Sequence, residues 1–217
     1  QQETMRKNSH YTRVRSRHDT HDILRKNPAL KFSMPSIVRL GSVTQGRPGD
    51  IEINTVEGVQ NCSNKLKMKE IFQAKDIISP KFFSVDEVTK KKVRFPLVKK
   101  LFFRSRGQGM ELIKDAKQLQ AVLATGRKDI YFEEYFSGSR EYRLHVSELG
   151  CFYSCRKLRK AGAKQRWFFN NSNCTWILED NKLYNKPANF NEIVKECQKA
   201  LKALGLDFAA FDVRVAK

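Results

Sequence analysis

The alternation of apolar and polar residues is the clearest structural signal in this sequence. It predicts three strands in quick succession, at 129–136, 141–148 and 151–158. Within the middle strand, apolar residues alternate with Arg143 and His145. We therefore expect an antiparallel meander that has one apolar and one polar face. The polar face is either a functional surface or an ordinary solvated one.

A period near 3.6 residues predicts three helices, at 65–74, 115–124 and 189–204. The last two stop at Gly126 and Gly205, because glycine readily adopts the left-handed backbone that ends a helix.

Further apolar runs predict strands at 35–40, from residue 81, at 93–100 and at 208–215. Residues 45–57 have the glycine and proline content of a loop. Strands and helices are thus mixed, and part of the sheet structure is antiparallel. The expected fold class is α+β (mixed α/β).

The net charge changes the picture next. Among 217 residues, 42 Lys and Arg face 23 Asp and Glu, which gives a formal net charge of +19. Such an excess repels itself unless an anionic partner offsets it, so nucleic acid, nucleotides and acidic polypeptides are the expected partners. A basic surface that has no dedicated partner is the alternative.

Five scattered cysteines, an odd number, indicate reduced thiols and a cytoplasmic protein. Cys151 and Cys155 lack the second pair that a zinc site of this spacing needs. No apolar run reaches the roughly 18–20 residues of a membrane span, and the first residues contain no signal-peptide core. We expect no membrane partner.

Candidate chemistry begins at Lys100, which ends an apolar strand and is followed by a loop at 105–110. Gly107 and Gly109 in that loop would let backbone N–H groups approach phosphate oxygens, and Arg106 would add charge. The same pattern also makes an ordinary hairpin turn, and both interpretations stay open.

Carboxylates follow farther along the chain. Glu133 and Glu134 close a strand, Glu141 opens the next one, and Asp212 is the single acid of an apolar strand, where it looks buried. A buried carboxylate without a partner is costly, so Asp212 calls for a functional explanation. No serine–histidine–acid or reactive cysteine arrangement accompanies these acids.

This succession of strand lysine, glycine loop, paired glutamates and strand aspartate resembles the ATP-grasp superfamily of carboxylate–amine ligases. Ribosomal-protein glutamate ligases and small viral relatives are the most similar members, and the resemblance covers about 37–217. It implies an ATP-grasp-like fold in which antiparallel sheets with flanking helices clasp a nucleotide cleft. It further implies a cytoplasmic and virus-encoded protein that acts in the host cytoplasm.

The resemblance also implies a division of the chain. Residues 1–33 form a basic N-terminal arm, 34–62 a short remnant of a preceding subdomain, and 63–217 the ATP-grasp domain. Within that domain, 63–128 is the central subdomain that bears the lid, and 129–217 is the C-terminal subdomain.

Site roles follow from the resemblance residue by residue. The implied ATP-binding residues are Lys65, Lys100, Ser105, Arg106, Gly107, Gly109, Glu133, Glu134, Tyr135, Phe136 and Glu141. The implied catalytic cations are Arg143, Arg156, Lys157 and Arg166. The implied acceptor-side residues are Arg159, Asn170, Asn171 and Asn173. Asp212 is implied as the first Mg²⁺ ligand, and the segment from Arg156 to Lys160 has a plain basic strand end as its alternative.

One feature of the family is missing. A Glu-x-Asn segment, which supplies the remaining metal ligands, follows the aspartate in the family, whereas this sequence stops at Lys217. Because residue 1 is not Met, we expect a trimmed sequence rather than a lost metal site.

The expected function is therefore an ATP- and Mg²⁺-dependent ligase. It would activate a carboxylate as an acyl phosphate and join it to an amine, releasing ADP and phosphate; both substrates are open. A non-catalytic basic nucleic-acid-binding protein and a phosphotransferase on the same fold are the alternatives.

Overall fold

The computed structural model describes residues 37–38, 51–103, 107–163 and 167–216. In chain order the elements are β1 (Ile37–Val38), β2 (Ile51–Glu52), α1 (Val56–Ser63), α2 (Lys65–Ala74), β3 (Phe82–Phe83), α3 (Val85–Lys90), β4 (Leu97–Leu101), β5 (Glu111–Ile113), α4 (Ala116–Leu123), β6 (Ile130–Glu134), β7 (Ser139–Ser147), β8 (Gly150–Arg159), β9 (Cys174–Leu178), α5 (Phe190–Leu204) and β10 (Phe208–Ala216). Strands β1 and β2 form a small parallel pair.

The first large sheet has the strand order β3-β6-β4-β5 and is antiparallel throughout. One of its faces packs against α3 and α4, and there Leu97 and Phe132 are completely buried. Successive residues of a strand point to opposite faces. The register of β4 with β6 therefore places Lys100, Tyr131 and Glu133 together on the other face.

The second large sheet has the order β10-β7-β8-β9 and is also antiparallel. Tyr142, Leu144 and Val146 line its apolar face and pack against α5, where Cys197 joins the same core. The polar face predicted for this region is thus turned away from α5.

Helix α2 connects the two halves of the molecule. Phe72 of α2 and Leu204 of α5 belong to one buried cluster. At the start of α2, the Lys65 N–H donates to the Phe102 carbonyl, just beyond β4, at 3.0 Å. Helix α1 approaches α5 so closely that a side chain at Gly58 would overlap the carbonyl of Gly205. Helices α1 and α2, which precede the first sheet in the chain, therefore pack against α5.

Most of the predicted elements are present. The three predicted helices correspond to α2, α4 and α5, and the strand at 208–215 corresponds to β10. The strand expected at 93–100 corresponds to β4, which begins later, at Leu97, and ends at Leu101. Two antiparallel sheets with flanking helices confirm the α+β class. No helix of the described ranges is both long and apolar enough to span a membrane.

The expected three-stranded meander is wrong in one member. The strand predicted at 129–136 is β6, which lies between β3 and β4 in the first sheet. In the second sheet β10 lies beside β7 instead, and β9 lies beside β8. The Glu134 N–H donates to the Lys81 carbonyl at 2.8 Å, so the chain is still part of the first sheet there. A division at residue 129 would separate β6 from its partners; the chain passes from the first sheet to the second between Tyr135 and Ser139.

Short elements escaped prediction, namely α1, α3, β5 and β9. The segment expected to be a loop at 45–57 contains β2 and the start of α1. The N-terminal arm at 1–33 and most of the strand predicted at 35–40 lie outside the described residues.

Candidate active site

A buried carboxylate, Glu133, is the centre of the first charged group. Lys100 Nζ lies 2.6 Å from Glu133 Oε2, and Lys69 Nζ lies 3.4 Å from Oε1. The Tyr131 hydroxyl donates to the same Oε1 at 3.0 Å. Only 5% of the Glu133 side chain is exposed, so water screens these interactions weakly. We call Lys65, Lys69, Lys100 and Glu133 the lysine cluster.

The lysine cluster carries excess positive charge. Burial raises the pKa of Glu133, but Lys100 and Lys69 outweigh that effect and hold the pKa well below 4.5. Burial and then Lys100 lower the pKa of Lys65, while Glu133 raises it. Burial also lowers the pKa of Lys69, in spite of Glu133. Three lysines share one carboxylate, and an added anion would offset the positive charge that Glu133 leaves unneutralised.

Cross-strand pairing builds a second charged group on the polar face of the second sheet. The register sets four residues side by side on β10, β7, β8 and β9: Arg214, Glu141, Lys157 and Trp176. Glu141 is buried and holds both cations, with Lys157 Nζ 2.6 Å from Oε1 and Arg214 Nε 3.1 Å from Oε2. We call these four residues the Glu141 row.

The next row along the strands contains Asp212 and Arg143. The Arg143 guanidinium donates twice to Asp212, at 3.0 and 2.9 Å, and Lys157 Nζ lies 3.2 Å from Asp212 Oδ1. The Asp212 side chain is 44% exposed, so its expected burial is wrong. Alternation turns it to the open face, where two cations offset its charge. Partial desolvation by the surrounding protein raises its pKa, but Arg143 and Lys157 keep the pKa below the ordinary value.

Aromatic rings lie beneath these cations. The Trp176 ring lies 5.3 Å from the Arg143 guanidinium carbon and 5.1 Å from Lys157 Nζ. The centre of the Phe169 ring lies 4.0 Å from the guanidinium carbon of Arg159 and 5.5 Å from the guanidinium carbon of Arg214. Cation–π attraction therefore helps to order the cations of this face.

The two charged groups border the same space. Both Glu133 of the first sheet and Asp212 of the second raise the pKa of Lys65, so the Lys65 side chain is close enough to both carboxylates to interact with them. The loop after β4 also reaches the second half, because a Cβ at Gly107 would lie 2.9 Å from the Phe168 ring. Gly107 and Gly109 both have positive φ, at 75° and 70°. We call the space bordered by these two charged groups and by the loop after β4 the cleft.

The segment 133–136 differs from its implied role. Main-chain recognition of adenine was expected there, but the N–H groups of Glu134 and Tyr135 are used inside the first sheet. The Phe136 carbonyl accepts from Arg214 at 3.3 Å. The N–H groups of Glu134 and Tyr135 are therefore not available to adenine, and the role of the other main-chain groups of this segment stays a prediction.

The expectation for Arg156 is wrong. Arg156 pairs in register with Tyr142, so it lies on the α5 side of the sheet, opposite Lys157. Its guanidinium donates to the Leu183 carbonyl at 2.8 Å. Period-two alternation separates it from the cleft.

Two of the expected acceptor-side asparagines instead close a loop. The Asn170 N–H donates to Asn173 Oδ1 and the Asn173 N–H donates to Asn170 Oδ1, each at 2.9 Å. Asn171 is exposed, and its role stays a prediction. Ser105, Arg106 and Arg166 lie outside the described residues.

Sequence reasoning missed several members of the site: Lys69, Tyr131, Arg214 and Trp176. A signal was available for two of them. Lys69 follows Lys65 by four residues, one turn of the predicted helix, and Arg214 follows Asp212 by two, on the same face of the predicted strand.

Nucleophilic cysteine chemistry finds no support. All five cysteines are free, and burial is the main cause that raises the pKa of every one of them. Raised thiol pKa values mean little thiolate at neutral pH.

Asp212 is the residue whose implied role is to hold Mg²⁺, and that role stays a prediction. The described part of the chain has no group of three His, Cys, Asp or Glu side chains that could hold a metal. Mg²⁺ is commonly held by one or two carboxylates together with substrate phosphates and water. One half-exposed carboxylate beside the cleft fits an ion that arrives on a polyphosphate.

Comparison with protein-family models found no match, and comparison with curated proteins found none. Solved structures do match. D-alanine–D-alanine ligase from Bacillus anthracis has a TM-score of 0.58 at 19% identity, over 76% of this chain and 56% of that one. N5-carboxyaminoimidazole synthetase from Staphylococcus aureus, complexed with ADP, has a TM-score of 0.59 at 15% identity, over 77% and 44%.

This chain has the ATP-grasp fold. L-amino acid ligase from Bacillus licheniformis matches as well, with a TM-score of 0.55 at 23% identity over 75% of this chain and 39% of that one. The chain spans roughly two fifths to somewhat over half of the length of these ATP-grasp ligases.

Proposed function

We propose that this chain binds ATP in the cleft between its two sheets and uses it to join a carboxylate to an amine. A carboxylate oxygen attacks the γ-phosphorus, the bond to the β-phosphate oxygen breaks, and ADP leaves. The amine nitrogen then attacks the carbonyl carbon of the acyl phosphate. Phosphate leaves with the bridging oxygen, and the proton lost by nitrogen passes to phosphate or water.

The imbalance of charge around the cleft is the observation that carries this proposal. Six cationic side chains belong to the lysine cluster, the Glu141 row and the Asp212–Arg143 pair, and three carboxylates, Glu133, Glu141 and Asp212, pair with them. The cations are Lys65, Lys69, Lys100, Arg143, Lys157 and Arg214. A triphosphate has the charge that this arrangement lacks. The fold shared with ATP-grasp ligases supports the same conclusion.

Individual residues have distinct roles in the proposal. Lys65 and Lys100 bind phosphate oxygens from the first sheet, and Arg143 and Lys157 stabilise the charge on the transferring phosphoryl group from the second. Glu141 accepts ribose hydroxyls, because each carboxylate oxygen has a second lone pair beyond the one that holds its cation. Asp212 would hold Mg²⁺, which supplies charge neutralisation at the phosphates.

A second candidate function rests on the net charge of +19. A non-catalytic protein that binds nucleic acid through phosphate contacts would use this charge without ATP. That function leaves the pairing of buried lysines with Glu133 unexplained.

Nucleotide binding separates the two functions. We expect Mg-ATP to raise the unfolding temperature and to bind in calorimetry, and we expect Lys100→Ala to weaken that binding at least tenfold. Lys99→Ala is the matched control, since Lys99 neighbours Lys100 but points to the opposite face and pairs with Glu111 at 2.5 Å. No response to ATP, or equal losses in the two variants, would reject the proposal. Salt-sensitive binding of single-stranded DNA without a nucleotide response would favour the second function.

A further inference from the structure

The polar face of the second sheet changes character along its strands. Beyond the Glu141 row and the Asp212–Arg143 pair, the register places Ala210, His145 and Tyr153 side by side. Phe152 adjoins them at the irregularity between β7 and β8. We call His145, Phe152 and Tyr153 the aromatic end of the face. None of these three side chains is acidic.

The rings of the aromatic end are exposed and already ordered. Phe152 is 63% and Tyr153 45% exposed, in contrast to the buried Glu141 and Lys157. The imidazole of His145 contacts both rings edge-on, with centroids 6.1 Å from Phe152 and 5.2 Å from Tyr153. Rings held in this way lose little conformational entropy when a ligand stacks on them.

Arg143 is the cation adjacent to this end. Two residues along a strand advance about 7 Å, so the aromatic end lies one such step beyond Arg143 and two beyond Glu141. Under the proposed function, the triphosphate extends from the Glu141 row toward Arg143. The molecule that receives the phosphoryl group would then lie over the aromatic end.

We infer that the carboxylate substrate of this cleft carries a planar aromatic group that stacks on Phe152 and Tyr153 while its carboxylate meets Arg143. This inference rests on the proposed function and names its substrate class. A planar ring joined by a short chain to a carboxylate describes an arylalkanoic acid or an aromatic amino acid. A nucleic-acid strand fits less well, because successive bases need successive platforms along a cationic track.

Binding of 3-phenylpropanoate, measured by ligand-observed NMR on the full chain in the presence of ADP, tests the inference. We expect it to bind at least fivefold more tightly than 3-cyclohexylpropanoate, which has the same chain and charge but no planar ring. The double variant Phe152→Ala/Tyr153→Ala should abolish that preference and leave ADP affinity unchanged. Ile78→Ala, which also removes an exposed large apolar side chain (84% exposed), is the matched control and should keep the preference. L-Phenylalanine in the same assay distinguishes an amino acid from a simple aryl acid.

The outcomes are separable. Equal binding of the two acids, or a preference that survives the double variant, overturns the inference even if ATP binds as proposed. Displacement of 3-phenylpropanoate by a single-stranded oligonucleotide whose own binding needs Tyr153 overturns it in favour of nucleic acid. A ring preference that depends on Tyr153 in a protein that binds no nucleotide retains the aromatic site and rejects the proposed function. Thermal unfolding of each variant shows whether the fold is kept.

Discussion

Glu133 of the first sheet and Asp212 of the second sheet hold their cations in opposite ways. In the first sheet, Glu133 is nearly inaccessible, and its partners are lysines, point charges on flexible stems. In the second, Asp212 is half-exposed, and the planar guanidinium of Arg143 grips it with two hydrogen bonds. Glu133 thus holds its cations away from solvent, whereas Asp212 holds Arg143 where solvent reaches the pair.

This difference determines what each carboxylate contributes. A buried ion whose partner is removed retains an uncompensated charge, which is strongly destabilising. An exposed pair is screened by solvent and contributes little to stability. Glu133 should therefore matter for folding and for lysine geometry, and Asp212 should matter mainly for what binds in the cleft.

The largest expected effect is on folding. Glu133→Gln should lower the free energy of unfolding by about 3–5 kcal/mol, because Lys69 and Lys100 lose their buried counter-charge. Urea denaturation measures it. Glu111→Gln is the matched control, since Glu111 belongs to the same sheet and pairs with Lys99 while half of its own side chain is exposed, and it should change stability by less than about 1 kcal/mol. Similar losses of unfolding free energy in Glu133→Gln and Glu111→Gln would show that burial of Glu133 does not make its ion pairs more important for stability.

A smaller effect should appear in acid. The folded-state pKa of Glu133 lies below its unfolded value, so its contribution is complete above about pH 4.5 and is lost as pH falls through the lowered pKa. The wild type should lose on the order of 2 kcal/mol from this group over that window. In Glu133→Gln this part of the loss should be missing, whereas Glu111→Gln should follow the wild type. Parallel acid-denaturation curves for all three proteins would contradict the assignment.

The smallest effect on stability should come from Asp212→Asn, below about 1 kcal/mol, because the pair with Arg143 is screened by water. Its ligand binding should change more. The gain in ATP affinity on adding Mg²⁺ over EDTA should shrink, while affinity without metal should be kept or improved. An unaltered Mg²⁺ dependence would remove Asp212 from the metal site.

The sequence made much of this arrangement predictable. The alternation around Arg143 and His145 identified the open face of the second sheet, and the helix at 65–74 was evident from its period. The partners of Glu133 were not predictable, because strand β6 lies in a sheet other than the one expected. Which strands pair depends on long-range contacts that local alternation does not encode.

The same limit explains the errors at Asp212 and Arg156. An acid in an apolar strand looks buried when its cross-strand neighbours are unknown, and only the register brings Arg143 beside it. Arg156 sits next to Lys157 in sequence, yet the pleat assigns the two to opposite faces. Short elements such as β9 contain too few residues to establish a period.

The position of α2 has a mechanical consequence. Phe72 anchors the helix to α5, and three residues earlier on the same helix Lys69 reaches Glu133 of the first sheet. Helix α2 therefore fixes the distance between the first sheet and α5. A wider cleft would break either the apolar contact of Phe72 with α5 or the buried ion pair of Lys69 with Glu133. We therefore expect ligand length, rather than movement of the two sheets, to determine which molecules bind.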